Sequence, residues 1–110
     1  MKKRNSWAIL FEGHRKRRGL NQDKMAKLLS TTQGTVSDYE TGKLLPPTSR
    51  CSDIADLLDL TGDERRTFIE EAFLAHAPDR IRGLVADLRS EIARSRRLLA
   101  KYDAQFPGLK

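Results

Sequence analysis

The chain has 110 residues, of which 38% are hydrophobic and 33% charged, and it carries a net charge of +6. That length and balance describe one small domain with at most an appendage, and they exclude an extensive core. The single cysteine, Cys51, excludes an internal disulfide and fits a reducing cytoplasm. The positive charge is uneven. Residues 1–50 hold eleven Lys or Arg against four Asp or Glu, a net of +7, whereas residues 51–110 have a net of −1. An excess of that kind on one half points to a polyanion, although solubility alone also accounts for a basic surface.

Met1 to Asn5 form a basic tail whose Lys3 and Arg4 are placed to lie along phosphates or in a minor groove. The apolar run Trp7 to Phe11 is too short for a signal or membrane segment. Ser6 is expected to cap a helix reaching about Arg18, with Leu10 and Phe11 facing inward. His14 has no metal-spaced partner, so it is read as a structural histidine.

The stretch from Gln22 to Gly42 organises the chain. Asn21 is suited to cap a helix over Gln22 to Leu29, with Met25, Ala26, Leu28 and Leu29 on its apolar face. Ser30 and Thr31 make a turn. Thr32 caps a second helix, Gln33 to Thr41, which Gly42 ends in the left-handed conformation. Small Ala26 suits a steep crossing. Val36 and Tyr39 share the inward face, which leaves Gln33, Gly34, Thr35, Ser37 and Asp38 outward. These are short polar residues rather than the Glu, Lys and Arg of a solvated face, and they suit base edges in a major groove.

With those residues in view, NQDKMAKLLSTTQGTVSDYETGK resembles the helix-turn-helix of the lambdoid phage repressor and Cro (XRE-type) regulators, over about residues 8 to 60. Gly19, Leu20, Asn21, Gln22, Ala26, Val36, Tyr39, Glu40 and Gly42 carry the match. Ser30 departs from it, standing where the family usually has a turn glycine. The resemblance implies an all-α fold: a five-helix lambda-repressor-like domain over residues 1–75 with a further long helix over 76–110. It also implies that Arg15 pairs with Glu40 as a structural pair; otherwise the two are independent surface charges.

Beyond the motif, Pro46 and Pro47 open a helix whose Cys51, Ile54, Ala55 and Leu58 recur at amphipathic spacing. Thr61 and Glu64 are spaced as a capping box before a fifth helix with Phe68, Ile69, Ala72 and Phe73 on one side. After Pro78, the residues Ile81, Val85, Leu88, Ile92, Ser95, Leu99 and Tyr102 alternate at four and three. Ile81, Val85, Leu88, Ile92, Leu99 and Tyr102 are read as a dimer seam, in a register that also sets Glu91 opposite Arg96 of another chain. A helix folding back on its own domain buries the same stripe.

The expected partner is double-stranded DNA. Gln33, Gly34, Thr35, Ser37 and Asp38 are the base contacts, and Lys3, Arg4, Arg18, Asn21, Gln22, Thr32, Lys43 and Arg50 the phosphate contacts. Arg15 is a further phosphate candidate, but it cannot fully serve both Glu40 and DNA. The expectation is a cytoplasmic transcriptional regulator, a repressor that binds an inverted repeat as a homodimer. The alternatives are an antitoxin whose last helices bind a toxin, or a controller of a restriction system or mobile element. No cofactor or metal is expected, and with no phosphate loop and no nucleophile–histidine pair an enzyme is the least supported class.

Overall fold

The computed structural model describes residues 4–105. Among them are six helices and no strand: α1 (Ser6–Arg17), α2 (Gln22–Leu28), α3 (Gln33–Thr41), α4 (Thr48–Leu57), α5 (Gly62–His76) and α6 (Asp79–Gln105). The chain divides into two units, Met1–His76 and Ala77–Lys110.

In the first unit α1 packs on α3 and α5, α2 on α3, and α4 on α5. The core is aromatic at its centre. Trp7 is fully buried, stacked on Phe11 at 5.1 Å between ring centroids, with Phe68 at 5.5 Å and the edge of Tyr39 at 6.0 Å. Met25 and Ala26 of α2 with the following Leu29, Val36 of α3, Cys51, Ile54 and Ala55 of α4 with the following Leu58 and Leu60, and Ala72 of α5 complete it. Burying a side chain of Leu or Phe size contributes about 1.5–3 kcal/mol, so this cluster is what drives five short helices together. Ala26 leaves room for α2 and α3 to approach.

Several local expectations are corrected. The cap of α1 is Asn5, not Ser6: its side-chain oxygen accepts from the Ala8 N–H at 2.7 Å. The first motif helix stops at Leu28, with Leu29 as its C-cap. Leu28 itself is 45% exposed, and it is Leu29, at 2%, that joins Met25 and Ala26 in the core. Phe73 is likewise exposed on α5. Glu64 does not serve a capping box with Thr61; the Arg17 guanidinium donates to both of its carboxylate oxygens, at 3.0 and 2.6 Å.

Three helices close in the same way. After α1, α2 and α4 a single left-handed residue follows the cap (Gly19, Ser30 and Asp59), and the next N–H reaches back to a carbonyl of the last turn. These bonds are Leu20 to Arg15, Thr31 to Ala26, and Leu60 to Ala55, each at 2.9–3.1 Å. This is the Schellman closure, which favours glycine at its left-handed position. At Ser30 the φ of 56° strains an ordinary side chain.

In the second unit α6 is a 27-residue helix with no buried residue. Ile81, Leu84, Leu88, Ile92, Leu98, Leu99 and Tyr102 are exposed, and Val85 is half-buried. Arg94 pairs with Glu91 at 3.4 Å along the helix, and Arg82 pairs with Asp79. Leu84 and Leu98 make the apolar stripe wider than the four-and-three alternation alone suggests.

Replacing Ser30 with glycine relieves the strained position, partly offset by the greater freedom of glycine in the unfolded chain. Ser30→Gly is expected to stabilise the protein by about 0.5 kcal/mol, read from the urea midpoint at constant slope.

Candidate nucleic-acid interface

Helix α3 is set by what lies behind it. Val36 is fully buried and Tyr39 packs against the core, so the opposite side of the helix faces out. Thr32 caps its start, accepting from the Thr35 N–H at 3.2 Å. Gly42, at φ 83°, ends it in a conformation open to glycine, and the chain then turns past Arg4 and Asn5. Gln33 and Gly34 are exposed in the first turn, while Thr35, Ser37 and Asp38 are half-buried along the same side.

A buried ion pair fixes this helix to the rest. Arg15 on α1 is 7% exposed and Glu40 on α3 only 2%. Arg15 Nε donates to Glu40 Oε2 at 2.5 Å and its Nη2 to Oε1 at 3.0 Å, a two-pronged contact that suits a guanidinium and a carboxylate. Arg15 Nη1 donates to the Leu20 carbonyl at 2.7 Å. The Glu40 hydrogen bond pushes the guanidinium pKa up, against the opposing effect of burial. Arg15 is thereby engaged in the interior by Glu40 and the Leu20 carbonyl.

Two further bonds extend the pair to the surface. Gln22 Nε2 donates to Glu40 Oε1 at 3.0 Å, and Gln33 Nε2 donates to Gln22 Oε1 at 2.5 Å. A hydrogen-bonded chain therefore runs from α1 through the core to the first residue of α3. Sequence reasoning names all four residues but not this connection. Gln22 and Gln33 lie eleven positions apart, and only the helix crossing brings them together.

The candidate phosphate residues fall into three groups. Asn21, Gln22 and Thr32 stand at helix starts: Asn21 caps α2, accepting from the Lys24 N–H at 2.8 Å, and Thr32 caps α3. Lys43 is exposed just beyond α3, and Arg50 donates to the Leu29 carbonyl at 3.1 Å, reaching across to the turn. Arg4 and Arg18 are engaged elsewhere. Arg4 donates to Glu12 at 3.0 Å and to the Glu40 carbonyl at 3.3 Å, at the C-terminal end of α3, where a cation suits the helix dipole. Arg18 meets Asp59 at 3.2 Å. Lys3 lies outside the described residues.

Among the described residues no group of three or more His, Cys, Asp or Glu is placed to hold a metal ion. Nor is any helix among them long and apolar enough to cross a membrane. Cys51 is fully buried, and burial pushes its thiol pKa up, away from the reactive thiolate.

Two helices joined by a tight turn, the second with an exposed polar first turn and an apolar back, make up a helix-turn-helix unit, a class of domain that presents a helix to DNA. The chain belongs to the helix-turn-helix domain family, a DNA-binding family, whose model matches residues 8–68. No curated protein and no solved structure matches it.

Removing Arg15 leaves a buried carboxylate with only Gln22 to meet it. Arg15→Ala is expected to cost about 3 kcal/mol of stability, measured by urea unfolding; Arg17→Ala, which removes an exposed pair, is expected to move the midpoint far less.

Burial, and then the charge of Arg17, pulls the His14 pKa down, with Glu64 acting in the opposite direction. The folded state thus prefers neutral His14. The stability this contributes is present above the unfolded value of 6.5 and is lost as pH falls through the lower folded value. Between pH 7 and pH 5 the melting temperature is expected to drop more steeply for the wild type than for His14→Phe.

Proposed function

We propose that the protein is a sequence-specific transcriptional regulator of the lambdoid repressor and Cro type, a cytoplasmic repressor that places α3 in the major groove of an operator. The observation that carries this reading is the exposed, polar first turn of α3, held outward by Val36 and by the Arg15–Glu40 pair. Gln33, Gly34, Thr35, Ser37 and Asp38 read base edges. Gln33 offers the donor and acceptor that adenine N7 and N6 require, Thr35 a methyl for thymine, and Asp38 an acceptor for the cytosine amino group. Asn21, Gln22, Thr32, Lys43 and Arg50 fix position on the phosphates.

One recognition helix reads too few base pairs to single out an operator, so the functional unit is a dimer on an inverted repeat. Helix α6 supplies the contact. In a parallel pair, Val85, Ile92 and Leu99 meet their counterparts, and Glu91 of each chain faces Arg96 of the other. An antiparallel pair sets Arg89 against Arg96, an unfavourable meeting of like charges. Ile81, Leu88 and Tyr102 lie on the same seam, flanked by Leu84 and Leu98.

The exposed stripe of α6 also favours a second reading, in which its partner is a different protein, such as the toxin of a toxin–antitoxin pair. A toxic protein encoded beside this one and purifying with it supports that reading over homodimerisation.

Selection from a random duplex pool tests the proposal. It is expected to return an inverted repeat with half-sites about 34 Å apart or a multiple of it, bound by two chains. Recovery of no preferred sequence overturns it. On the selected site Gln33→Ala is expected to lose about 1–3 kcal/mol while barely changing affinity for random DNA. Lys43→Ala is expected to weaken both alike and to lower the salt dependence.

A further inference from the structure

The segment from Gly42 to Pro47, which carries Lys43 away from α3, is pinned at several points. The Leu44 N–H donates to the Asp38 carbonyl at 3.2 Å, Leu45 packs against the core, and Pro46 is fully buried. Pro46 is itself followed by a proline, so its own ring fixes φ and its neighbour holds ψ in the extended region. Its carbonyl is therefore a rigid acceptor. His76 Nε2 meets that carbonyl at 2.7 Å. A carbonyl only accepts, so Nε2 carries the hydrogen and donates.

His76 is the last residue of α5 and of the first unit. That end is thinly anchored. Past Ala72 it is the small Ala75 that packs against the apolar cluster, Phe73 is exposed, and the closing carbonyls of a helix lack partners within it. Helix α6 begins at Asp79, so Ala77 and Pro78 alone separate it from His76. Two residues span at most about 7 Å, and the proline ring stiffens one of them. A shift at the end of α5 is passed to the start of α6 with little slack.

Moving one half-site by a base pair shifts it about 3.4 Å along the duplex and turns it about 35° around the axis. A pair of chains discriminates between such separations only if each α3 is firmly tied to the start of its own α6. Resting on the reading of the protein as a pair joined through α6, we propose that His76 is a positioning residue: its hydrogen bond ties the end of α5 to the loop behind α3, and so fixes which half-site separation the pair accepts. The tie runs from α3 through the loop bearing Lys43 to Pro46, and from there through His76 to the two residues that lead into α6. Without it the last turn of α5 frays, and neighbouring separations are bound almost as well.

The test is equilibrium binding of the full chain to duplexes that carry the selected half-sites at the selected separation and at separations one base pair shorter and longer. His76→Phe keeps a ring and removes the donor, whereas His76→Gln returns an N–H at a similar reach. One hydrogen bond is worth up to about tenfold in an equilibrium. The preference of the wild type for the selected separation is expected to be about tenfold or more, to fall by about threefold or more in His76→Phe, and to stay within about twofold of the wild type in His76→Gln. A ratio cancels any change in the phosphate contact of Lys43, which acts at every separation alike. Circular dichroism, and an equal affinity of all three proteins for a duplex with one half-site, check that the variants fold. Retention of the full preference by His76→Phe overturns the proposal, and so does its loss in His76→Gln. A wild type that binds every separation equally gives a different result: it removes the pairing through α6, and the proposal falls with it.

Discussion

The structure depends on one buried ion pair. Arg15 and Glu40 are both almost inaccessible, and each takes the other's charge at two points. Ion pairs in such places cost desolvation and are often no more stabilising than apolar residues of the same size. What this pair supplies is orientation. Arg15 reaches from α1 to α3 and, through the Leu20 carbonyl, to the segment that leads into α2. Three helices are thereby held by one guanidinium. A hydrophobic contact between helices tolerates small rotations, whereas a two-pronged hydrogen bond does not. For a helix whose outward residues must meet base edges, rotation about its own axis is the variable that matters most.

The aromatic cluster does complementary work. Trp7, Phe11, Phe68 and Tyr39 hold α1, α3 and α5 together, and Val36 turns the inner side of α3 towards them. Stability comes mainly from this cluster and angular definition from the ion pair. The surface pairs Arg17–Glu64, Arg18–Asp59 and Arg65–Asp56 are a different matter: solvent screens exposed contacts of this kind, and they add little stability. Their main consequence here is for the distribution of charge. Arg17 at the end of α1 and the following Arg18, which contribute to the basic half of the sequence, are partly neutralised by Glu64 of α5 and by Asp59 in the loop before it. Less positive charge is thus available to a polyanion than the count over residues 1–50 suggests.

The features legible in the sequence are those that depend on neighbours along the chain. Asn21, Thr32 and Gly42 mark helix ends by their own chemistry, and the spacing of Cys51, Ile54, Ala55 and Leu58 marks the buried side of α4. Where neighbours compete, sequence reasoning falters. Asn5 and Ser6 are both good caps, and only the backbone decides between them. Leu28 and Leu29 are equally apolar, and only the packing shows that Leu28 is the one facing water. Trp7 is the central core residue, yet near a basic terminus nothing local distinguishes it from a surface aromatic. The link from Gln22 to Gln33 was not legible, because it requires knowing how two helices cross. The left-handed backbone at Ser30 is legible only against the glycine that the resembling family carries there.

The central claim is that the outward side of α3, aimed by the interior, is the surface that meets duplex DNA. The most direct measurement is nuclear magnetic resonance of the uniformly labelled protein titrated with a selected duplex. The account predicts that the largest shift changes fall on Gln33, Gly34, Thr35, Ser37 and Asp38 and on the first turn of α2, with the Arg15 side-chain signals still showing contact to Glu40. Changes confined to α5 and α6, with α3 unmoved, contradict it.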